Sequence, residues 1–307
     1  MKKIKIFSPS TIANLSCGFD VLGCCLDTIG DEMTVSIENG NGVEIDKIEG
    51  ANLPREAHLN VASVAVQALL VELKEPKKVI ISIHKKIKAG SGIGSSAASS
   101  AGAVWAVNEL LGQPFTPNDL IRFAMHGENI ASGSPHADNV APALLGGVTL
   151  IRSYTPLDVI KLPFPEDLTA VIIHPQIEIK TSDARAVLKQ HILLKDAVVQ
   201  WGNIGGLVAG LCLSDYGLIS RSLEDVIIEP LRSVLIPNFD IIKKTALEHG
   251  ALGCGISGSG PAIFALSKGI KNANKIASAM HALRLSTEIT FDIYISTINA
   301  TGIRIIA

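Results

Sequence analysis

The densest group of residues able to do chemistry is the run Lys88-Ala89-Gly90-Ser91-Gly92-Ile93-Gly94-Ser95-Ser96-Ala97-Ala98. Glycines at alternate positions let successive backbone N–H groups turn toward one point, and a helix starting near Ser95 adds unpaired amides and a positive dipole end. Together these make a cradle for phosphate oxygens. Ser95 and Ser96 put hydroxyls where a helix start and a Mg²⁺ ion can both use them, and Ala97, Ala98 and Ala101 allow close helix packing. A flexible glycine turn capped by serine accounts for the same residues without a ligand. The run lacks the Gly-Lys-Ser/Thr ending of a Walker A motif, and it lacks the final glycine and the downstream acid of a dinucleotide fingerprint.

Two other loops carry polar groups. The segment 8–23, Ser-Pro-Ser-Thr-Ile-Ala-Asn-Leu-Ser-Cys-Gly-Phe-Asp-Val-Leu-Gly, leaves a first strand and presents the amide of Asn14 and the carboxylate of Asp20. Gly253-Cys254-Gly255-Ile256-Ser257-Gly258-Ser259-Gly260-Pro261 is a second glycine-rich loop, feeding a strand. Each alone reads as a surface turn. Gly255-Ile256-Ser257-Gly258-Ser259 misses the last glycine of a hydrolase elbow. His58, His84, His174, His191, His249 and His281 lack metal-ligand spacing, and the five cysteines form no CxxC pair, so buried thiols in a reducing compartment are expected.

The elements that must position these groups follow from hydrophobic periodicity. Strands are expected over 2–7, 32–38, 43–48, 79–84, 148–153, 168–174, 262–267 and 291–297, and helices over 60–73, 95–111, 118–130, 182–189, 195–212, 239–249 and 272–283. Thr116, Pro117 and Asp119 form a capping-box start, while Gly112 and Gly250 stand where C-terminal caps belong. At roughly 150 residues per domain, 307 residues make about two. The proline-rich stretch 154–167 is the expected junction, giving domains 1–163 and 164–307.

Composition excludes several functions. A net charge of −2 implies no polyelectrolyte partner, and 4% aromatic residues are poor equipment for stacking bases, so no nucleic acid is expected. Mean hydropathy is +0.36, yet the apolar stretch 61–73 is broken by Ser63, Gln67 and Glu72 and falls short of the ~18 residues that spanning needs. Lys5 and Ser8-Pro9-Ser10 interrupt any signal-peptide core. A cytoplasmic protein with no membrane partner is the expectation.

Taken together, the three loops resemble the three motifs of the GHMP small-molecule kinases, in order and placement over essentially the whole chain. The first loop, His136-Ala137-Asp138-Asn139-Val140-Ala141-Pro142, Lys180-Thr181-Ser182-Asp183-Ala184-Arg185, and Glu229-Pro230-Leu231-Arg232 with Ile236-Pro237-Asn238-Phe239 are similar to the homoserine kinase branch. The resemblance implies an α+β fold with a ribosomal S5 domain 2-like N-terminal domain and a ferredoxin-like C-terminal domain. It implies ATP-dependent phosphorylation of the side-chain hydroxyl of L-homoserine in threonine biosynthesis, with homodimerisation a family expectation.

Residue by residue, it implies a nucleotide cradle from Lys88 to Ala98 and Mg²⁺ held by Ser96 and Glu128. Arg185 and Arg232 become a carboxylate clamp, because guanidinium forks match carboxylates. Asp20 partners the ammonium or hydroxyl, Asn14, His136 and Asn139 complete the polar ring, and Gly258 lines the substrate site. Asn14, Thr181 and Asn139 are the expected catalytic residues. Asn139 stands where mevalonate-type relatives carry an aspartate base, and Asp138 beside it is expected to face elsewhere, so catalysis should proceed by positioning and charge stabilisation. Two positions depart from the family pattern: Lys88 replaces a usual proline, and Ser91 stands at an often basic position. Alternatives are a kinase of another small alcohol, a non-catalytic relative, and a dinucleotide-dependent oxidoreductase.

Overall fold

The computed structural model describes residues 2–285 and 290–307. A long antiparallel pair, β1 (Lys2–Ala13) and β2 (Leu22–Asn39), opens the chain, followed by β3 (Gly42–Glu49), α1 (Val61–Leu73) and β4 (Lys77–His84). Three helices come next, α2 (Ser95–Leu111), α3 (Pro117–Ser132) and the short α4 (Val140–Leu145), then the hairpin β5 (Val148–Tyr154) and β6 (Leu157–Leu162). The second half runs β7 (Leu168–Pro175), α5 (Thr181–Ala186), α6 (Leu194–Leu213), α7 (Tyr216–Ser222) and α8 (Glu229–Arg232). It continues with α9 (Phe239–Glu248), β8 (Ala251–Ile256), β9 (Ile263–Lys268), α10 (Gly269–Leu285), β10 (Phe291–Thr297) and β11 (Arg304–Ile305).

Two sheets result. The first has the order β11-β1-β2-β4-β3, with β5 pairing β2 and β6 pairing β5; the second is β10-β7-β9-β8. Ile6, Val35, Ile81, Val104 and Phe123 belong to a core between the first sheet and its helices. A second cluster joins Ile12, Leu22 and Ala98 to Ala170, Ile172 and Phe264, so the two sheets share apolar packing. Apolar side chains that would otherwise face water are buried on both sheets at once, which fixes the cleft between them.

Helix starts follow local chemistry. The Asn60 side chain accepts from Ala62 N and Ser63 N at α1, and Thr116 and Asp119 bond reciprocally at α3. Gly112 caps α2 at φ 83°.

The structure corrects several expectations. The chain passes between sheets after β6, but 154–167 is mostly hairpin rather than linker: Pro156 occupies the β5–β6 turn and Leu157–Leu162 pairs with β5. A proline at a hairpin turn gives the same local signal as one in a junction. The last strand returns to the first sheet, pairing Ile6 with Ile305 and burying Ile303 in the first core. Strand β8 carries Gly253, where a Cβ would collide with Leu223, so close packing of α7 requires a glycine that masks the strand pattern. Four cysteines are buried, whereas Cys212 is exposed. Among the described residues the longest apolar helix is α6, not 61–73: by length and composition it is apolar enough to cross a membrane, and it buries Leu207 and Leu211 in the cluster that holds Ala170, Ile172 and Phe264 of the second sheet.

Candidate functional site

The cradle sits at the start of α2, in a cleft of about 690 Å³. Gly94 is the N-cap in the left-handed region at φ 71°, and a Cβ there would collide with Thr11 Oγ1. The Gly94 carbonyl takes the Ala98 N–H at 2.8 Å, so the first-turn amides of Ser95, Ser96 and Ala97 are the ones that need an outside acceptor. Gly92 packs against the third motif: a Cβ would lie 2.6 Å from Gly260 O, and Ser257 Oγ donates to Gly92 O at 2.7 Å. Beneath the cradle, Lys85 is buried and donates to Ser95 O at 2.9 Å, to Ser99 Oγ at 3.1 Å and to Asp31.

Beside the helix start, Glu128 of α3 is buried at the wall of the cleft, and its Oε1 has no hydrogen-bond partner among the described residues. Burial pushes its carboxyl up to about 7, against the pull of the Ser96 hydroxyl and of Lys85. An orphaned carboxylate oxygen next to a serine hydroxyl and unpaired amides is a donor set that suits a hard divalent cation. The residues present therefore fit Mg²⁺.

The opposite wall is polar. Asn14 and Ser16 lie in the left-handed region at φ 72° and 65°, which turns the loop back so that Asn14 Nδ2 donates to Gly258 O at 2.9 Å and Asn14 Oδ1 accepts from Asp20 N at 3.0 Å. Arg185 Nη2 donates to Asp20 Oδ1 at 3.1 Å and lies 2.7 Å from His136 Nε2. Burial holds the His136 imidazole below its ordinary pKa, so the neutral ring accepts from the guanidinium. Arg232, only 3% exposed, donates Nε to Ala184 O at 2.9 Å and Nη1 to Gly258 O at 3.0 Å; neither bond uses Nη2. Burial, then the neighbouring charge of Arg185, pulls its pKa down to about 10. Thr181 Oγ1 lies 3.4 Å from Ser259 Oγ.

At the start of α4, Thr11 Oγ1 donates to Asn139 Oδ1 at 2.7 Å, which leaves the Asn139 amide hydrogens for the cleft. Asp138 lines the same cleft, its carboxyl raised to about 7 chiefly by burial and then by Asp20 and Glu128. The expectation that Asp138 faces elsewhere is thus corrected: residues 138–139 form a turn leading into α4, where strand-like alternation of side chains does not apply. Tyr154 ties this turn to the first loop, donating to Asp20 O at 2.9 Å and accepting from Ala137 N at 3.3 Å.

Of the sequence-predicted residues, Asn14, Asp20, Ala89, Gly90, Ser91, Gly92, Gly94, Ser95, Ser96, Glu128, His136, Asn139, Thr181, Arg185, Arg232 and Gly258 line the cleft. Four of the cradle run do not. Lys88 is exposed and hydrogen-bonded to Gln176, and Ile93, Ala97 and Ala98 turn their side chains into the cores. Ala97 and Ala98 stand on the face of α2 that packs into the cores, and Ile93 is the apolar anchor of the loop before it, so an unbroken run of side-chain contacts was geometrically unavailable. Sequence reasoning missed Lys85, Thr11, Tyr154, Phe19 and an apolar lining of Leu53, Pro54, Leu59, Val61 and Ile130. Lys85 had a signal: it continues the inward parity of Val79, Ile81 and Ile83.

The GHMP kinases N terminal domain model matches residues 60–147, and the GHMP kinases C terminal model matches 207–284. A homoserine kinase of Chloroherpeton thalassium is 46% identical over 319 residues, covering 100% of both chains. The chain belongs to the homoserine kinase family. The crystal structure of homoserine kinase from Cytophaga hutchinsonii is 51% identical and superposes with a TM-score of 0.95, covering 100% of this chain and 98% of that one. The crystal structure of L. major mevalonate kinase in complex with R-mevalonate shares the fold at a TM-score of 0.70 and 17% identity over 96% of each chain. As a member of the GHMP kinases, the chain uses ATP as phosphoryl donor.

Proposed function

We propose that this protein transfers the γ-phosphoryl group of ATP to the side-chain hydroxyl of L-homoserine, forming O-phospho-L-homoserine for threonine synthesis. The observation that carries this reading is the meeting, in one cleft, of the α2 amide cradle with two guanidinium groups and the acid Asp20. Such a set matches a substrate holding a carboxylate, an ammonium and a hydroxyl.

The chain's residues divide the work. The amides of Ser95, Ser96 and Ala97 bind phosphate oxygens, and the apolar lining of Leu53, Pro54, Leu59 and Ile130 takes the base. Ser96 and Glu128 would hold Mg²⁺, which spreads charge on the transferring phosphoryl group when bound. Arg185 and Arg232 orient the substrate carboxylate, and Asp20 and Asn14 its ammonium. The Asn139 amide, fixed by Thr11, donates toward the acceptor hydroxyl, and Thr181 steadies the phosphoryl group. No group is needed to remove the hydroxyl proton early, because positioning and charge stabilisation supply most of the acceleration in phosphoryl transfer. Domain extents of 1–163 and 164–307, with the last strand lent back to the first unit, complete the reading.

The test is ADP release with Mg²⁺ across L-homoserine, L-serine, L-threonine, mevalonate and shikimate, with products weighed by mass spectrometry. Selective turnover of homoserine is expected. Preference for another alcohol would overturn the substrate assignment.

A further inference from the structure

The two guanidinium groups of the cleft carry like charge, and among the described residues only Arg185 of the two has a carboxylate partner; the Nε and Nη1 bonds of Arg232 go to neutral carbonyls. Both, however, lie over one ring. The Phe19 centroid is 4.9 Å from Arg232 Cζ and 5.7 Å from Arg185 Cζ. An aromatic face is electrostatically negative, so a ring shared by two cations attracts each while holding them at a fixed separation. The backbone that carries the ring is fixed on both sides, since Phe19 follows Gly18, where a Cβ would lie 2.5 Å from Leu22 Cβ, and precedes Asp20, whose N–H bonds Asn14 Oδ1.

We infer that Phe19 is a positioning and specificity-determining residue: its ring sets the spacing of the Arg185 and Arg232 forks and thereby selects alcohols that carry a carboxylate. This rests on the reading of the cleft as a homoserine site. Phe19 acts through the arginines, so its removal loosens the clamp without touching the phosphate cradle on the opposite wall. The affected quantity is recognition of the substrate carboxylate, not of nucleotide.

The experiment compares steady-state kinetics on L-homoserine and on 3-aminopropan-1-ol, which keeps the hydroxyl and ammonium but lacks the carboxylate. Phe19→Leu is expected to raise KM for homoserine about tenfold, the size of one to two lost cation–π contacts, with KM for ATP and kcat/KM for 3-aminopropan-1-ol unchanged. Phe19→pentafluorophenylalanine keeps the ring's shape and reverses its charge distribution, so it is expected to raise the homoserine KM as well, and it retains a readout where the leucine variant folds poorly. Equal losses on both alcohols, or a pentafluorophenylalanine variant indistinguishable from the parent, would overturn the inference while leaving the homoserine assignment intact. A parent enzyme that prefers alcohols without a carboxylate would overturn both.

Discussion

Asp138 and Asn139 are chain neighbours on the same cleft with different tasks. Burial raises the Asp138 pKa to about 7, with Asp20 and Glu128 adding to the rise and Arg185 opposing it, and Tyr154 stands close by. A raised folded-state pKa means that the folded protein holds a proton which the unfolded chain releases near pH ~4. The resulting stability is full below that pH and is lost as pH climbs through about 7. Asp138→Asn cannot ionise, so its melting temperature should rise relative to the parent between pH 5 and pH 8; a flat or falling difference would refute the buried neutral acid. The same variant should keep kcat within about tenfold, because general-base loss typically costs ~10²–10⁴ and none is invoked here. Abolished turnover with both ligands still bound would make Asp138 the base. Thr11 tests its neighbour: Thr11→Val should lower kcat about fivefold to tenfold with little change in KM for ATP, the worth of one oriented hydrogen bond, and Thr11→Ser should restore it. Thr11 was invisible in the sequence because its role depends on a contact 128 residues away.

At the scale of elements, β4 delivers Lys85 beneath α2. The side chain is 1% exposed and its Asp31 partner 0%, with Asp31 Oδ1 also accepting from Lys86 N at 2.7 Å and Ile87 N at 3.0 Å. Lys85→Met leaves a buried carboxylate without its cation and should cost about 3–5 kcal/mol in urea unfolding. Adding Asp31→Asn, which keeps an acceptor for the two backbone amides, should recover a substantial part; no recovery would show that the pair's charge is not what matters. Alternation through Val79, Ile81 and Ile83 made this lysine legible as inward-facing, although its setting in His84-Lys85-Lys86 reads as a solvated run. The cradle, the polar loops and most helices were legible for the same reason: periodicity and glycine spacing are local. The β5–β6 hairpin, β8 and the apolar cleft lining were not, since a turn proline mimics a junction, packing glycines mask a strand, and the lining assembles from the approach to α1 and the end of α3.

For the whole molecule, the shared cluster between the sheets predicts one cooperative unit. Phe264 is fully buried there among residues of both sheets, and Phe264→Ala should destabilise by about 3–5 kcal/mol. Trp105 lies in α2 and Trp201 in α6, so versions retaining one tryptophan each report on one half. The urea transitions of the two versions should coincide; separated midpoints would show that the halves unfold independently. The return of β11 to β1 has a temporal side. Residue 305 pairs with residue 6, so on a ribosome moving at ~5–20 residues per second the outer edge of β1 waits for about 15–60 s after its own synthesis. During that interval an unpaired strand edge is exposed, the kind of surface on which nascent chains stick to one another. Lys2 and Lys3 stand exposed on that strand, while Lys5 pairs with Glu32 of β2 at 2.7 Å, and the positive charges of Lys2 and Lys3 on a waiting edge repel a second copy until the proper partner arrives.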